Sequence, residues 1–263
     1  MQKIVKITYF GIRDVLRSKW GIMYALLFLL VTEGLFQLGG HPGKVVLGLT
    51  NITLALVPLI SAIFGTMYFY NSREFVELLL TQPVKRSTVY TGLFISLTFS
   101  LVLGFIAGIS IPYILRGLPE GWDLGTYLLL IVSGSCLTCI FVGLSFLVSI
   151  IFEDKGKGLG LVILTWLFFA ILYDGAVLLL VNLFSDYPLE QPMIIMAMLN
   201  PIDLARILLL IQTDISALMG YTGAVFEQFF GTFLGGSLSL GILLLWSILP
   251  FSLGLICFKR KDF

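Results

Sequence analysis

The sequence is poor in the residues that build disulfide scaffolds, metal centres and soluble enzymes. It holds one histidine, His41, and three cysteines in 263 residues, which excludes a disulfide scaffold and a histidine-rich metal cluster. Charged residues make up 12%, against roughly 25% in soluble domains. No Gly-x-x-x-x-Gly-Lys-Ser/Thr loop occurs, since neither Gly43-Lys44 nor Gly156-Lys157 has the required upstream glycine. The chain therefore cannot hydrolyse ATP in the P-loop manner by itself.

Apolar residues dominate instead. They form 58% of the chain, and the mean hydropathy is +1.03. A membrane span needs about 20 mostly apolar residues, and six windows meet that need: 20–36, 50–70, 89–115, 126–152, 159–184 and 233–258. The alternating polarity of a membrane β-barrel is absent. We therefore predict an all-α integral membrane protein that is a single transmembrane domain over 1–263.

Basic residues are distributed unevenly about these six spans. Thirteen of the sixteen lie on one side of a six-span arrangement, and only Lys44, Arg116 and Arg206 lie on the other. Because basic loops stay in the cytoplasm, this asymmetry predicts a multi-pass membrane protein with both termini in the cytoplasm. Residues 1–19 have a basic face opposite an apolar one, which predicts a helix along the inner membrane surface. A signal peptide is disfavoured, because no small-residue cleavage site follows the apolar run.

The richest polar stretch, residues 71–88, separates two apolar runs. Arg73, Glu74 and Glu77 have helical spacing, and Pro83 stops the short helix before Arg86. Its apolar face consists of Phe75, Leu78 and Leu79. A short amphipathic helix on the basic side suits docking to a soluble protein, although an ordinary cytoplasmic loop is the alternative.

Two ionisable residues fall within predicted spans. Glu33 lies near the outer end of the first span, where a charged group can reach the interface. Asp174 lies deeper in the fifth span, and a transport role and a structural hydrogen-bonding role both remain open. Gly104 and Gly108 in the third span favour close helix packing within the chain over a dimer seam.

The segment 185–232 is the longest stretch outside the spans and is predicted to be helical and periplasmic. Asn200 is a suitable N-cap, with Pro201 at the first helical position and Asp203 in the first turn. Arg206 can pair with Asp203 at three-residue spacing. Because these helices are apolar, we expect them to lie on the lipid interface or to cover a partner.

Two groups of sulfur-containing residues suggest metal chemistry only weakly. Cys136 and Cys139 form a Cys-x-x-Cys motif inside an apolar helix, where packing is the simpler interpretation. An outer group of thioethers suits Cu(I) chemically, although methionine is also a gap-filler. These candidate ligands are Met193, Met196 and Met198. We otherwise predict no metal site.

The polar stretch resembles the first cytoplasmic loop of ABC type-2 permeases, on Arg73, Glu74, Glu77, the Gln82-Pro83-Val84 run and Arg86. The resemblance implies the type V permease fold, an N-terminal elbow helix over 1–19 and a coupling helix that rests on a separate ATPase. The implied ATPase-coupling residues are Arg73, Glu74, Phe75, Glu77, Leu78, Leu79, Pro83 and Arg86. The second implied cytoplasmic contact consists of Glu153, Asp154 and Lys155.

The outer segment resembles one branch of that family, which serves maturation of the copper centre of nitrous-oxide reductase. The resemblance rests on the Asn-Pro-x-Asp-x-x-Arg run and on residues 218–223. It implies a periplasmic solenoid protein, a homodimer of permeases, surrounding lipid and a copper chaperone as partners, with ATP and Mg bound by the ATPase and no cofactor in this chain. The implied contacts of the periplasmic partner are Asn200, Pro201, Asp203, Arg206, Met219 and Tyr221.

Two other functions remain open, and no nucleic-acid partner is expected. An exporter of lipid, drug or polysaccharide with the same fold would need no outer partner. A membrane scaffold without an ATPase, or an integral enzyme, belongs to another class, and the enzyme is disfavoured because paired catalytic carboxylates and a histidine-based site are missing.

Overall fold

Long apolar helices form nearly all of the part of the chain that the computed structural model describes, namely residues 19–39, 42–116, 124–184, 190–212 and 233–261. We number these helices in chain order. They are α1 (Lys19–Gly39), α2 (Pro42–Asn71), α3 (Arg73–Leu80), α4 (Arg86–Arg116), α5 (Leu124–Ile151), α6 (Lys155–Leu167), α7 (Tyr173–Leu183), α8 (Glu190–Leu199), α9 (Pro201–Gln212) and α10 (Phe233–Arg260). A π-helical turn, Phe168–Leu172, joins α6 to α7. The predicted interfacial helix over 1–19 lies almost wholly outside the described residues.

The six predicted spans are confirmed. Helices α1, α2, α4, α5 and α10, and the continuous α6–π–α7 rod, are each long and apolar enough to cross a membrane. Helix α5 is the centre of the bundle, because it packs against α2, α4, α6, α9 and α10. The α6–π–α7 rod lies at the periphery and buries few of its side chains within the chain.

Helices α1 and α4 run in parallel and approach closely through glycine. Gly104 packs on Tyr24 and Ala25, and Gly108 packs on Phe28 one turn further along both helices. A Cβ atom on Gly108 would lie 2.8 Å from the carbonyl oxygen of Ala25. The Gly104–Gly108 pair therefore serves packing within the chain, as predicted.

One end of the bundle collects the basic residues, and we call it the basic end. Helices α2, α5 and α10 finish there, and α3, α4 and α6 begin there, because hydrogen bonds join Arg73 to Glu153 and Arg86 to Lys259. Helix α1 runs parallel to α4 and therefore starts on the same side of the bundle, but the contact of Ala25 with Gly104 places Lys19 well beyond Arg86 along α4. The further basic residues of the basic end are Lys85, Lys155, Lys157, Arg260 and Lys261.

Helices α8 and α9 form a pair bent by 114°. The bend at Asn200 reaches Phe169 and lies close to Trp246, which donates a hydrogen bond to Met198. Each of these two aromatic residues is 14 residues from the basic end of its own span, about 21 Å at 1.5 Å per residue. The bend therefore lies at about the middle of these two spans, and a position of the pair on the lipid interface or under a partner stays a prediction.

Apolar burial explains why this pair packs inside the bundle. Ile202, Leu204, Ala205 and Leu209 are buried although they lie on several sides of α9. A helix that is apolar on most of its surface gains more from neighbours on several sides than from one interface. Composition alone does not distinguish such a helix from an interfacial one.

Replacing Gly108 by alanine should destabilise the protein, because the added methyl group meets the α1 backbone and overpacking costs about 1–3 kcal/mol. Replacing Gly241 by alanine is the matched control, since a Cβ there meets nothing within 4 Å and alanine favours helix by about 1 kcal/mol. Thermal unfolding in detergent should give a lower midpoint for Gly108→Ala and an equal or higher one for Gly241→Ala. Equal stability of Gly108→Ala and the parent chain would contradict the close contact.

Candidate functional site

Helix α3 is a short amphipathic helix that stands between the ends of two spans. It begins after Ser72, whose carbonyl accepts a hydrogen bond from the Val76 amide, and it ends at Thr81, whose hydroxyl donates to the Leu78 carbonyl at 2.8 Å. Pro83 follows within three residues of the last helical position and cannot continue the helix. The local sequence therefore defines both ends, as predicted.

The faces of α3 have different environments. Val76 is 1% exposed, and Leu79 and Leu80 pack against the hydrophobic core. Leu78 is 66% exposed, and its neighbours Glu74, Phe75 and Glu77 are also exposed. Burial of Val76 fixes the helix to the bundle and leaves an acidic and apolar face outside. Val76 was not among the predicted site residues, because its role depends on packing.

Arg73 binds the carboxyl end of α5. Its guanidinium donates to the carbonyl oxygens of Ser149, Phe152 and Glu153 at 3.1 to 3.3 Å, and it lies over the Tyr70 ring at 4.7 Å from the centroid. The last four carbonyls of a helix have no partner within the helix and carry partial negative charge. Arg73 therefore caps α5 and ties the first residue of α3 to it.

Arg86 does the same for α10 at the other end of the polar stretch. Its guanidinium donates to the carbonyls of Lys259 and Lys261. Lys261 in turn donates to the Ile150 carbonyl at 2.6 Å and pairs with Glu153 at 3.5 Å. The last turns of α5 and α10 are thus joined to each other and to both ends of the α3 loop.

The turn between α5 and α6 lies directly beside α3. The Tyr70 hydroxyl donates to the Phe152 carbonyl at 2.6 Å, and Lys155 donates to the Asn71 side chain at 3.1 Å. Asp154 accepts from the Lys157 amide at 2.8 Å and caps α6. Gly158 is required here, since any Cβ would overlap the Tyr70 hydroxyl.

The structure divides the eight predicted coupling residues into two groups. Arg73 and Arg86 point inward to backbone carbonyls, and Leu79 is partly packed on the core. The remaining five are exposed at the surface of the basic end, and these are Glu74, Phe75, Glu77, Leu78 and Pro83. The second predicted contact, Glu153, Asp154 and Lys155, is exposed next to them. Contact of these residues with an ATPase stays a prediction.

A second polar group lies where the α8–α9 bend meets the fifth span. Arg206 donates to Asp174 at 2.7 Å and to Asp203 at 2.9 Å, and the predicted Asp203–Arg206 pair is thereby confirmed. Asn200 caps α9 through the Ile202 amide, as predicted, and donates to Asp203 at 2.8 Å.

The π-helical turn is part of this network. Asn200 also donates to the Phe169 carbonyl at 2.8 Å, and the Tyr173 hydroxyl donates to the Met196 carbonyl at 2.7 Å. A π turn alters the regular bonding of an α-helix and often marks a functional position. In this structure it brings the fifth span into hydrogen-bonding contact with both re-entrant helices.

The residues predicted to contact an outer partner have mixed positions. Asn200 and Pro201 are buried and present no surface, whereas Asp203 and Arg206 are partly exposed. Met219 and Tyr221 lie outside the described residues. Contact with an outer partner stays a prediction. Of the two predicted intramembrane residues, Asp174 has the ion pair above, and Glu33 accepts a hydrogen bond from Gln37 one turn away.

The three methionines do not share one face of α8. Met193 and Met196 are separated by about 60° around the helix, whereas Met198 is about 140° from Met193. Met193 is buried, and Met198 packs against the core. Cys136 is also buried, in the centre of α5. Within the described part of the chain, no group of three His, Cys, Asp or Glu side chains is arranged for a metal ion.

Comparison with known proteins agrees with this architecture. Residues 43–263 match the family described as ABC-2 family transporter protein. A probable ABC transporter permease protein NosY of Pseudomonas aeruginosa is 27% identical over 223 residues, which cover 79% of this chain and 81% of that protein. A protein of the same name from Stutzerimonas stutzeri is 26% identical over 269 residues, which cover 95% of this chain and 89% of that protein.

Replacing Arg73 by glutamine should lower the free energy of unfolding by about 1–3 kcal/mol, because charge-assisted hydrogen bonds to the end of α5 are lost. Lys85→Gln is the matched control, as it removes one positive charge from an exposed side chain in the same loop. Thermal unfolding in detergent should separate the two variants. Equal unfolding midpoints for the two would show that the cap contributes little.

Proposed function

The chain belongs to the ABC-2 transporter family, and we propose that it is the permease subunit that couples ATP hydrolysis by a separate cytoplasmic ATPase to a partner on the opposite side of the membrane. The observation that carries this proposal is the exposed face of α3, an acidic and apolar surface held rigidly at the basic end. ATP and Mg would bind to the ATPase, and this chain would bind no cofactor.

The proposed orientation follows from charge. The basic end carries most of the lysine and arginine residues in the described part of the chain, and such loops are retained in the cytoplasm. The ATPase would then meet α3 and the α5–α6 turn inside a bacterial cell, with both chain termini on the same side of its inner membrane. Helices α8 and α9 would then enter the bundle from the periplasmic side.

The proposed mechanism is movement of packed helices as rigid bodies. A push on α3 would reach α5 through Arg73 and α10 through Arg86, because both arginines donate hydrogen bonds to backbone carbonyls at the ends of those helices. Helix α9 packs on both α5 and α10. Displacement of these two spans would therefore reach the outer segment through direct contacts.

We further propose a NosY-like role in assembling the copper site of nitrous-oxide reductase. The support is the similarity to two NosY proteins over most of the chain. This role brings a NosF-like ATPase, a NosD-like periplasmic solenoid protein, a second permease copy and a copper chaperone as partners. Mass spectrometry of what co-purifies from native membranes tests it: a solenoid protein together with an ATPase is expected, and an ATPase alone would contradict the outer partner.

Replacing Leu78 by aspartate should abolish co-purification of the ATPase, because a charge would enter the apolar centre of the contact. Leu78→Met is the control, since it keeps an apolar side chain of similar volume. Neither change should lower the thermal stability of the permease, as Leu78 is mostly exposed. Normal ATPase recovery with Leu78→Asp would contradict docking through α3.

Replacing Met193, Met196 and Met198 together by leucine should leave reductase maturation unchanged, because the helix does not gather the three thioethers on one face. Copper loading of the reductase in cells that carry only the variant is the measurement, and Asp174→Asn is a comparison that disturbs the neighbouring ion pair. Loss of copper loading with a normally assembled triple variant would show that the methionines take part in copper transfer.

A further inference from the structure

The two arginines of the α3 loop are engaged within the chain. Arg73 donates to three carbonyls at the end of α5, and Arg86 donates to two at the end of α10. From the sequence both would count as cations available to a partner. In the structure both guanidinium groups bind the partially negative ends of helices. The outward charge of α3 therefore comes from its remaining ionised side chains.

Those other residues are acidic. Glu74 and Glu77 are the ionised side chains on the exposed face of α3, where they flank the apolar Phe75 and Leu78. The exposed basic residues of the basic end lie outside α3, and they are Lys85, Lys155, Lys157, Lys259 and Arg260. The outer face of α3 is therefore a small apolar centre with two carboxylates.

A cavity of about 310 Å³ opens beside Glu77. Leu80, Thr81 and Arg86 form the rest of its lining. The Arg86 guanidinium donates to carbonyls at the end of α10, and the carboxylate of Glu77 is the acidic group in the lining of this cavity. The space permits a side chain of a docked protein to reach Glu77 from outside.

Two other occupants fit this face poorly. The inner surface of a bacterial membrane is anionic and attracts basic segments, so it would repel Glu74 and Glu77. A symmetric contact with a second copy of α3 would place like carboxylates together, which costs free energy. A soluble protein with a basic surface satisfies both the charge and the exposed leucine.

We propose that α3 is received by an apolar pocket with a basic rim, in which lysine or arginine side chains pair with Glu74 and Glu77 and one of them enters the cavity beside Glu77. This inference rests on the proposed function, since it describes the surface of the cytoplasmic ATPase that meets α3. Leu78 supplies the apolar contact, and the two carboxylates set the orientation and the salt dependence of docking.

The test measures the affinity of the ATPase for the full-length permease in nanodiscs over a range of salt concentrations. The unaltered complex should weaken as salt rises. The double variant Glu74→Gln and Glu77→Gln should bind about tenfold more weakly at low salt, from the loss of two ion pairs, and should respond less to salt. Lys85→Gln is the matched control and should bind equally or more tightly.

The outcomes separate the inference from the proposed function. Unchanged affinity of the double variant, or salt-independent binding of the unaltered complex, would overturn the basic rim even if Leu78→Asp abolishes docking. Normal binding of Leu78→Asp would instead overturn docking through α3 altogether. Thermal unfolding of the double variant should match that of the parent chain, because both glutamates are exposed, and this measurement guards against a folding defect.

Discussion

Unsatisfied carbonyl groups at the carboxyl ends of the spans set the main constraint at the basic end. The last turn of a helix leaves carbonyl oxygens without donors and a partial negative charge. Cationic side chains and a tyrosine hydroxyl supply donors to these groups. Arg73 and Tyr70 serve the end of α5, and Arg86 serves the end of α10. Lys261 then joins the two ends.

The same basic residues therefore have two physical roles. Lysine and arginine at this end favour its retention in the cytoplasm, and several of them complete the backbone bonding of the spans that end there. Because these bonds are to main-chain atoms, the α3 loop is fixed in position by the helices themselves. A surface that is held in this way can transmit a displacement, whereas a loop fixed only by its own turns would absorb it.

The sequence was sufficient for features that depend on local pattern. The six spans follow from length and hydropathy, and the limits of α3 follow from the spacing before Pro83. The start of α9 follows from Asn200 and Pro201, and the Asp203–Arg206 pair from helical spacing. Each of these depends on residues within a few positions of one another.

Features that depend on distant contacts were out of reach. The partners of Arg73 lie 76 to 80 residues away, and those of Arg86 lie 173 and 175 residues away. No local pattern reveals that both arginines face inward. The re-entrant position of α8 and α9 was also hidden, because an apolar helix looks the same in sequence whether it lies on a membrane surface or within a bundle.

The structure gives the fifth span a second connection to the rest of the bundle. That span buries little of itself in the chain, so packing alone would couple it weakly to α5 and α10. Its π turn offers the Phe169 carbonyl to Asn200, and Asp174 binds Arg206 on the same re-entrant helix. Since α9 packs on α5 and α10 as well, α9 connects the fifth span to these central spans. The polar residues within the bundle thus join its peripheral span to the helices whose ends Arg73 and Arg86 bind.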